Sequence, residues 1–232
     1  LDTTVKQSHH RIKNIRELQK RNKMNIQTAN RIKSVNEYYF SKKMKEIDSL
    51  NKTGERVINL GIGSPDLAPE NQVISTLLDS AQVMNHHAYQ SYKGIPELRG
   101  AMANWYKKTY NINIEPSVEI LPLIGSKEGI MHISMTYINE GDEVLIPNPG
   151  YPTYTSATNL AGGKVVHYHL DEDNDWDINL DEIEKLISPK TKLMWVNYPN
   201  MPTGANGNWE TLKKLIALAK KHQLLICNDN PY

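Results

Sequence analysis

Residues 192–232, KLMWVNYPNMPTGANGNWETLKKLIALAKKHQLLICNDNPY, decide the fold class of this chain. The apolar run Leu193-Met194-Trp195-Val196 opens into a loop rich in proline and asparagine. Leu212, Leu215, Ile216 and Leu218 then recur at helical spacing, and Leu224-Leu225-Ile226-Cys227 forms a second short apolar run. Two such runs joined by one helix predict a parallel βαβ unit. In an open parallel sheet the ligand crevice lies beyond the carboxyl ends of the strands. Both polar segments, 197–204 and 228–232, stand at such ends.

The composition around this unit narrows the class. A chain of 232 residues with a hydrophobic fraction of 39% can bury the core of one large or two small domains. A formal net charge of +1 gives no global ground for a nucleic-acid or membrane partner. The single cysteine, Cys227, excludes an internal disulfide framework and a cysteine metal cluster, so no metal is expected and the cytoplasm is the expected compartment. No apolar run approaches the roughly eighteen residues that a membrane span needs, and the basic N-terminus lacks a signal peptide's apolar stretch.

Upstream, residues 1–23 set Lys6, Arg11, Lys13, Arg16, Lys20, Arg21 and Lys23 against Asp2 and Glu17. They read as a solvated, disordered extension, with a nucleic-acid arm as the alternative. Residues 24–56 read as an N-terminal arm. Within it, Tyr39, Phe40, Met44 and Ile47 fall at helical spacing over 35–50, with Gly54 as the stop. That stripe is either core packing or, through Tyr38, Tyr39 or Phe40, a wall of the site. Residues 57–232 form the main domain.

Val57 to Leu60 predicts a short strand running into Gly61-Ile62-Gly63-Ser64-Pro65-Asp66. A dinucleotide loop would need a third glycine and a following helix, and Pro65 stands where neither fits. Helices are expected over 69–85 and 95–110, each with a proline suited to a first turn. A strand over 119–124 should turn through Gly125-Ser126-Lys127 into the helix that carries Ile130, Ile133, Ser134 and Tyr137. A glycine turn feeding a helix N-terminus is a ready anion site, since unpaired N–H groups and the helix dipole both face the ligand. It is not a P-loop, because the G-x-x-x-x-G-K pattern is absent. A strand at 144–147 ends in Asn148-Pro149-Gly150-Tyr151-Pro152. A strand over 164–170 and a helix over 180–187 continue the alternation, with the acidic run 171–177 as a surface loop.

In order, the motifs Leu60-Gly61-Ile62-Gly63-Ser64-Pro65-Asp66, Tyr89 with Gly94-Ile95-Pro96-Glu97-Leu98-Arg99, Gly125-Ser126-Lys127, Asn148-Pro149-Gly150-Tyr151-Pro152, Pro202-Thr203-Gly204 and Asp229 with Tyr232 resemble the class I and II aminotransferases. These are fold-type-I enzymes that use pyridoxal 5'-phosphate. The resemblance runs from about Val57 to Tyr232 and implies a three-layer α/β/α large domain with a mostly parallel sheet. It further implies that the amides of Ser126 and Lys127 hold the cofactor phosphate and that Tyr151 stacks on the pyridine ring. Asp229 would keep the ring nitrogen protonated, because a carboxylate favours the neighbouring cation. Tyr232 would hydrogen-bond the phenolic oxygen. Tyr89 would reach the phosphate of the other subunit in a homodimer, and Gly63 would bring its backbone N–H to the substrate carboxylate. Apart from the resemblance, Tyr89 reads as a surface loop tyrosine, Tyr151 as a turn tyrosine, and Asp229 as a cap or turn residue.

The resemblance also implies amino-acid and 2-oxo-acid substrates, and it places the lysine that binds the cofactor covalently beyond Tyr232. The chain therefore reads as a catalytically incomplete, truncated piece. It also implies that two later strands insert between the strand at 119 and the strand at 192. One position departs from the family. The asparagine expected directly before Pro202-Thr203-Gly204, a donor to the phenolic oxygen, is Met201, with Asn200 one place earlier. Methionine has no N–H to give, so Asn200 is the candidate replacement. A β-lyase, decarboxylase or synthase of the same fold, or the cofactor-sensing domain of a transcription regulator, would carry the same cofactor motifs.

Overall fold

Four parallel strands in the order β2-β1-β3-β4 carry the architecture: β1 (Glu143–Asn148), β2 (Lys164–His169), β3 (Thr191–Val196) and β4 (Leu225–Asn228). This computed structural model describes residues 26–35, 37–61, 63 and 65–231, and the chain divides into two units, Leu1–Val35 and Asn36–Tyr232. The extension expected over 1–23, and Tyr232, lie outside the described residues. In the first unit the described part is a short 3-10 helix, Asn30–Ser34.

Successive side chains of a strand point to opposite faces, and because both faces are covered β1 is buried at five consecutive positions. Val144 and Ile146 of β1, with Leu193 and Trp195 of β3, pack with Ile130 of α4 (Ser126–Tyr137) and Tyr154 and Ala157 of α5 (Pro152–Ala161). Leu145, Met194 and Val196 face the opposite way, onto Ile183 of α6 (Leu180–Leu186) and Leu215 and Ala219 of α7 (Trp209–His222). Two helical layers thus enclose the sheet. Leu145 and Leu193 are completely buried, and burying one such side chain contributes about 1.5–3 kcal/mol.

Helix ends follow local chemistry. Asn179 and Asn208 cap α6 and α7, each side chain accepting two first-turn N–H bonds, at 3.1 Å for both of the first pair and 2.9 and 3.2 Å for the second. Earlier in the chain lie α1 (Tyr39–Lys52), α2 (Asn71–Ala81) and α3 (Pro96–Tyr110). The helix expected from 35 starts later, at Tyr39, because Val35 is extended. That expected over 69–85 is divided, with a 3-10 turn at Met84–His87 after α2.

Two expected strands are absent. Residues 57–60 and 119–124 are not in the sheet. A strand exists through its ladder bonds, and here other groups take them: Ile124 N–H donates to Glu128 Oε2 at 2.7 Å and Glu119 N–H to the Glu115 carbonyl at 2.9 Å. Their apolar side chains stay outside, with Leu60 90% and Ile124 98% exposed. Beside β3 the sheet continues with β4, with Val196 opposite Asn228.

Candidate active site

The carboxyl ends of β1, β3 and β4 lie side by side, and the residues that follow them converge on one cavity of about 210 Å³. It is lined by Ser126, Tyr151, Tyr154, Asn197, Met201, Asp229 and Pro231. Of the residues singled out in the sequence, Ser126, Tyr151 and Asp229 are thereby brought together.

β1 delivers its part through a tight turn. A Cβ on Gly150 would stand 2.4 Å from the Pro147 carbonyl oxygen, so no side chain fits there. Pro152 then starts α5, which leaves Tyr151 at the helix N-cap and Tyr154 one turn on, their rings edge to face at 5.7 Å. Opposite, Gly125 has φ 155° and ψ 166°, a region open essentially to glycine alone, and from it α4 starts at Ser126 without a side-chain cap. Lys127 holds its ammonium 4.8 Å from the centroid of the Tyr38 ring and 5.7 Å from that of Tyr151. Hydrogen bonding with Tyr151 favours the charged form and raises the Lys127 pKa above the usual lysine value.

Asp229 is fixed at three atoms. Its N–H donates to the Val196 carbonyl at 2.9 Å, its carbonyl accepts from Asn197 Nδ2 at 2.6 Å, and its Oδ2 accepts from the Tyr154 hydroxyl at 2.8 Å. Asn197 is 2% exposed and its Oδ1 also accepts the Met201 N–H at 2.7 Å, so this one amide joins the loop after β3 to the end of β4. Beside it, burial pushes the Cys227 thiol up to about 11, which keeps it protonated near neutral pH.

Asn200 does not line the cavity. It is 2% exposed, and its Oδ1 accepts from the Thr203 hydroxyl at 2.8 Å within its own turn. Tyr89 is fully exposed, and nothing lies within 4 Å of the place a Cβ on Gly63 would take. Sequence reasoning missed Tyr154 and Asn197. The first was legible as the residue three after Tyr151 on a helix, the second as the first residue beyond a buried strand.

A larger cavity of about 650 Å³ lies between Tyr110, Tyr198, Trp209, Ile216 and Ile226. No carboxylate, lysine, arginine or histidine lines it, so it lacks the acid–base and charge-pairing groups of the smaller one. The smaller cavity sets a carboxylate and aromatic walls against a helix N-terminus with an ammonium close by. That donor set fits a flat ring with a cationic nitrogen and an anionic substituent. Among the described residues no helix is long and apolar enough to cross a membrane.

Residues 55–232 match the family model described as "Aminotransferase class I and II". An LL-diaminopimelate aminotransferase of Dehalococcoides mccartyi (strain CBDB1) is 39% identical over 207 residues, which are 89% of this chain and 53% of that protein. One from Halothermothrix orenii is 41% identical over 207 residues, with the same coverage of 89% and 53%. Among solved structures, apo-BacF from Bacillus subtilis superposes with a TM-score of 0.83 at 33% identity, covering 89% of this chain and 52% of that one. The chain spans about half the length of the curated relatives it matches.

Proposed function

The chain belongs to the class I and II aminotransferases, and we propose that its protein transfers an amino group between an amino acid and a 2-oxo acid with pyridoxal 5'-phosphate as cofactor. One observation supports the reading above all: Ser126 at a helix N-terminus, the Tyr151 ring and the Asp229 carboxylate line the same cavity. When bound, pyridoxal phosphate supplies an electron sink for the negative charge left as a substrate loses its α-proton. The chain's own groups have simpler tasks. The amides of Ser126 and Lys127 hold the phosphate, Tyr151 covers the ring, and Asp229 keeps a proton on the ring nitrogen by charge pairing. Tyr232 serves the phenolic oxygen and Gly63 the substrate carboxylate. The working form is a cytoplasmic homodimer in which Tyr89 reaches the partner's site. LL-diaminopimelate, named for the relatives, is the first amino acid to test.

Titration with pyridoxal phosphate, followed by visible absorption, is expected to give saturable binding that inorganic phosphate competes away. A protein that shows none does not have this function. In the intact gene product, amino transfer that requires a 2-oxo acid supports the proposal, whereas release of ammonia and pyruvate assigns the site to a lyase.

Met201 gives this site a character of its own. Asn197 gives one amide N–H to the Asp229 carbonyl, and Asn200, whose Nδ2 is buried without a hydrogen-bond partner among the described residues, does not line the cavity. Met201 does line it, and its side chain has no N–H to give. Met201→Asn is expected to lower the pH midpoint of the bound cofactor's spectral change, because an added donor favours the anionic phenolic oxygen. A spectrophotometric pH titration before and after substitution measures it, and an unchanged midpoint would give the role to Asn200 or to water.

A further inference from the structure

The geometry points to Tyr154 as a positioning residue for Asp229: its hydroxyl sets the plane of the carboxylate that is to meet the cofactor's ring nitrogen. The inference rests on the proposed reading of Asp229. The Asp229 backbone is held by Val196 and Asn197, but the terminal torsion of an aspartate is broad, so a fixed backbone leaves the carboxylate plane loose. The Tyr154 hydroxyl, donating to Oδ2 at 2.8 Å, removes that freedom. Oδ1 has no protein donor among the described residues and remains as the oxygen for the ligand.

Tyr154 is suited to the task because it is itself immobile. It is completely buried, its ring lies flat on the Trp195 indole with centroids 5.1 Å apart and planes 8° apart, and Tyr151 meets it edge-on. An aromatic side chain in such a stack presents its hydroxyl at one place, whereas a longer flexible donor would follow the carboxylate as it turned. A carboxylate can only accept, so the phenol proton is committed to Asp229. The arrangement joins three elements: β3 through Trp195, α5 through Tyr154 and the end of β4 through Asp229.

The test is a ratio of affinities, which separates positioning from packing. Dissociation constants are measured for pyridoxal phosphate and for its 1-deaza analogue, in which a carbon replaces the ring nitrogen. The wild-type protein is expected to prefer the first. Tyr154→Phe, which keeps the ring and its stack, is expected to reduce that preference about tenfold, the scale of one hydrogen bond to a charged group. Asp229→Asn should abolish the preference, and the double variant should lose nothing more. If Tyr154→Phe weakens both ligands equally, Tyr154 is a packing residue and the inference is wrong. If the wild-type protein binds both equally, the reading of Asp229 itself fails. Replacing Tyr154 by 3-fluorotyrosine keeps the fold and makes the phenol a stronger donor. It should raise the ratio, and an unchanged ratio would count against the inference.

Discussion

In the intact gene product, Asp229→Ala is expected to lower turnover about 10²–10³-fold, the loss typical of removing one preorganised electrostatic group from an active site. Cofactor binding should survive, because the proposed phosphate contacts come from the start of α4 and not from the end of β4. The substitution truncates the acceptor of the Tyr154 hydroxyl, but it leaves the Asp229 N–H and carbonyl in their bonds to Val196 and Asn197. The strand end should therefore keep its place. Measuring kcat and the cofactor dissociation constant in the same preparation separates the two effects. Near-normal turnover would remove Asp229 from its assigned role, and loss of binding with loss of fold would make it structural.

Trp195→Ala should be the most destabilising of the substitutions considered, by about 3–5 kcal/mol. Trp195 sits in β3, between two neighbouring strands, at 2% exposure, and it carries the stack under Tyr154. Against a total stability of about 5–15 kcal/mol, that loss is a large share. Its indole N–H is buried without a hydrogen-bond partner among the described residues. Trp195→Phe thus forfeits ring volume but no hydrogen bond, and should cost much less. Urea unfolding of the three proteins gives the answer, with a lower midpoint at constant slope expected for the alanine variant. If alanine costs no more than phenylalanine, the ring stack does not hold the site together.

The sequence alone determined the parts that depend on near neighbours. Apolar runs of four residues at 144–147, 193–196 and 224–227, separated by helical periods, sufficed for a parallel sheet with helices on both faces, and Tyr151 and Asp229, which follow the first and the last of them, line the cavity. Periodicity carries this information because it is a property of the local chain. Only the tertiary structure decided what depends on pairing. Residues 57–60 and 119–124 have the pattern of strands, yet they have no ladder partner: the sheet ends at β2 and β4, and neither segment pairs with those edges. The same holds within the loop after β3, where Asn197 and Asn200 are chemically identical. The Pro202-Thr203-Gly204 turn draws Asn200 inward to Thr203, while Asn197, at the strand end, meets Asp229 across 32 residues of sequence. Likewise the partner of the Tyr154 hydroxyl lies 75 residues away, just past the end of a strand brought near only because β4 pairs with β3 and α5 packs over both β1 and β3. Contacts of that range are set by the order of the sheet, and no local pattern in the sequence encodes them.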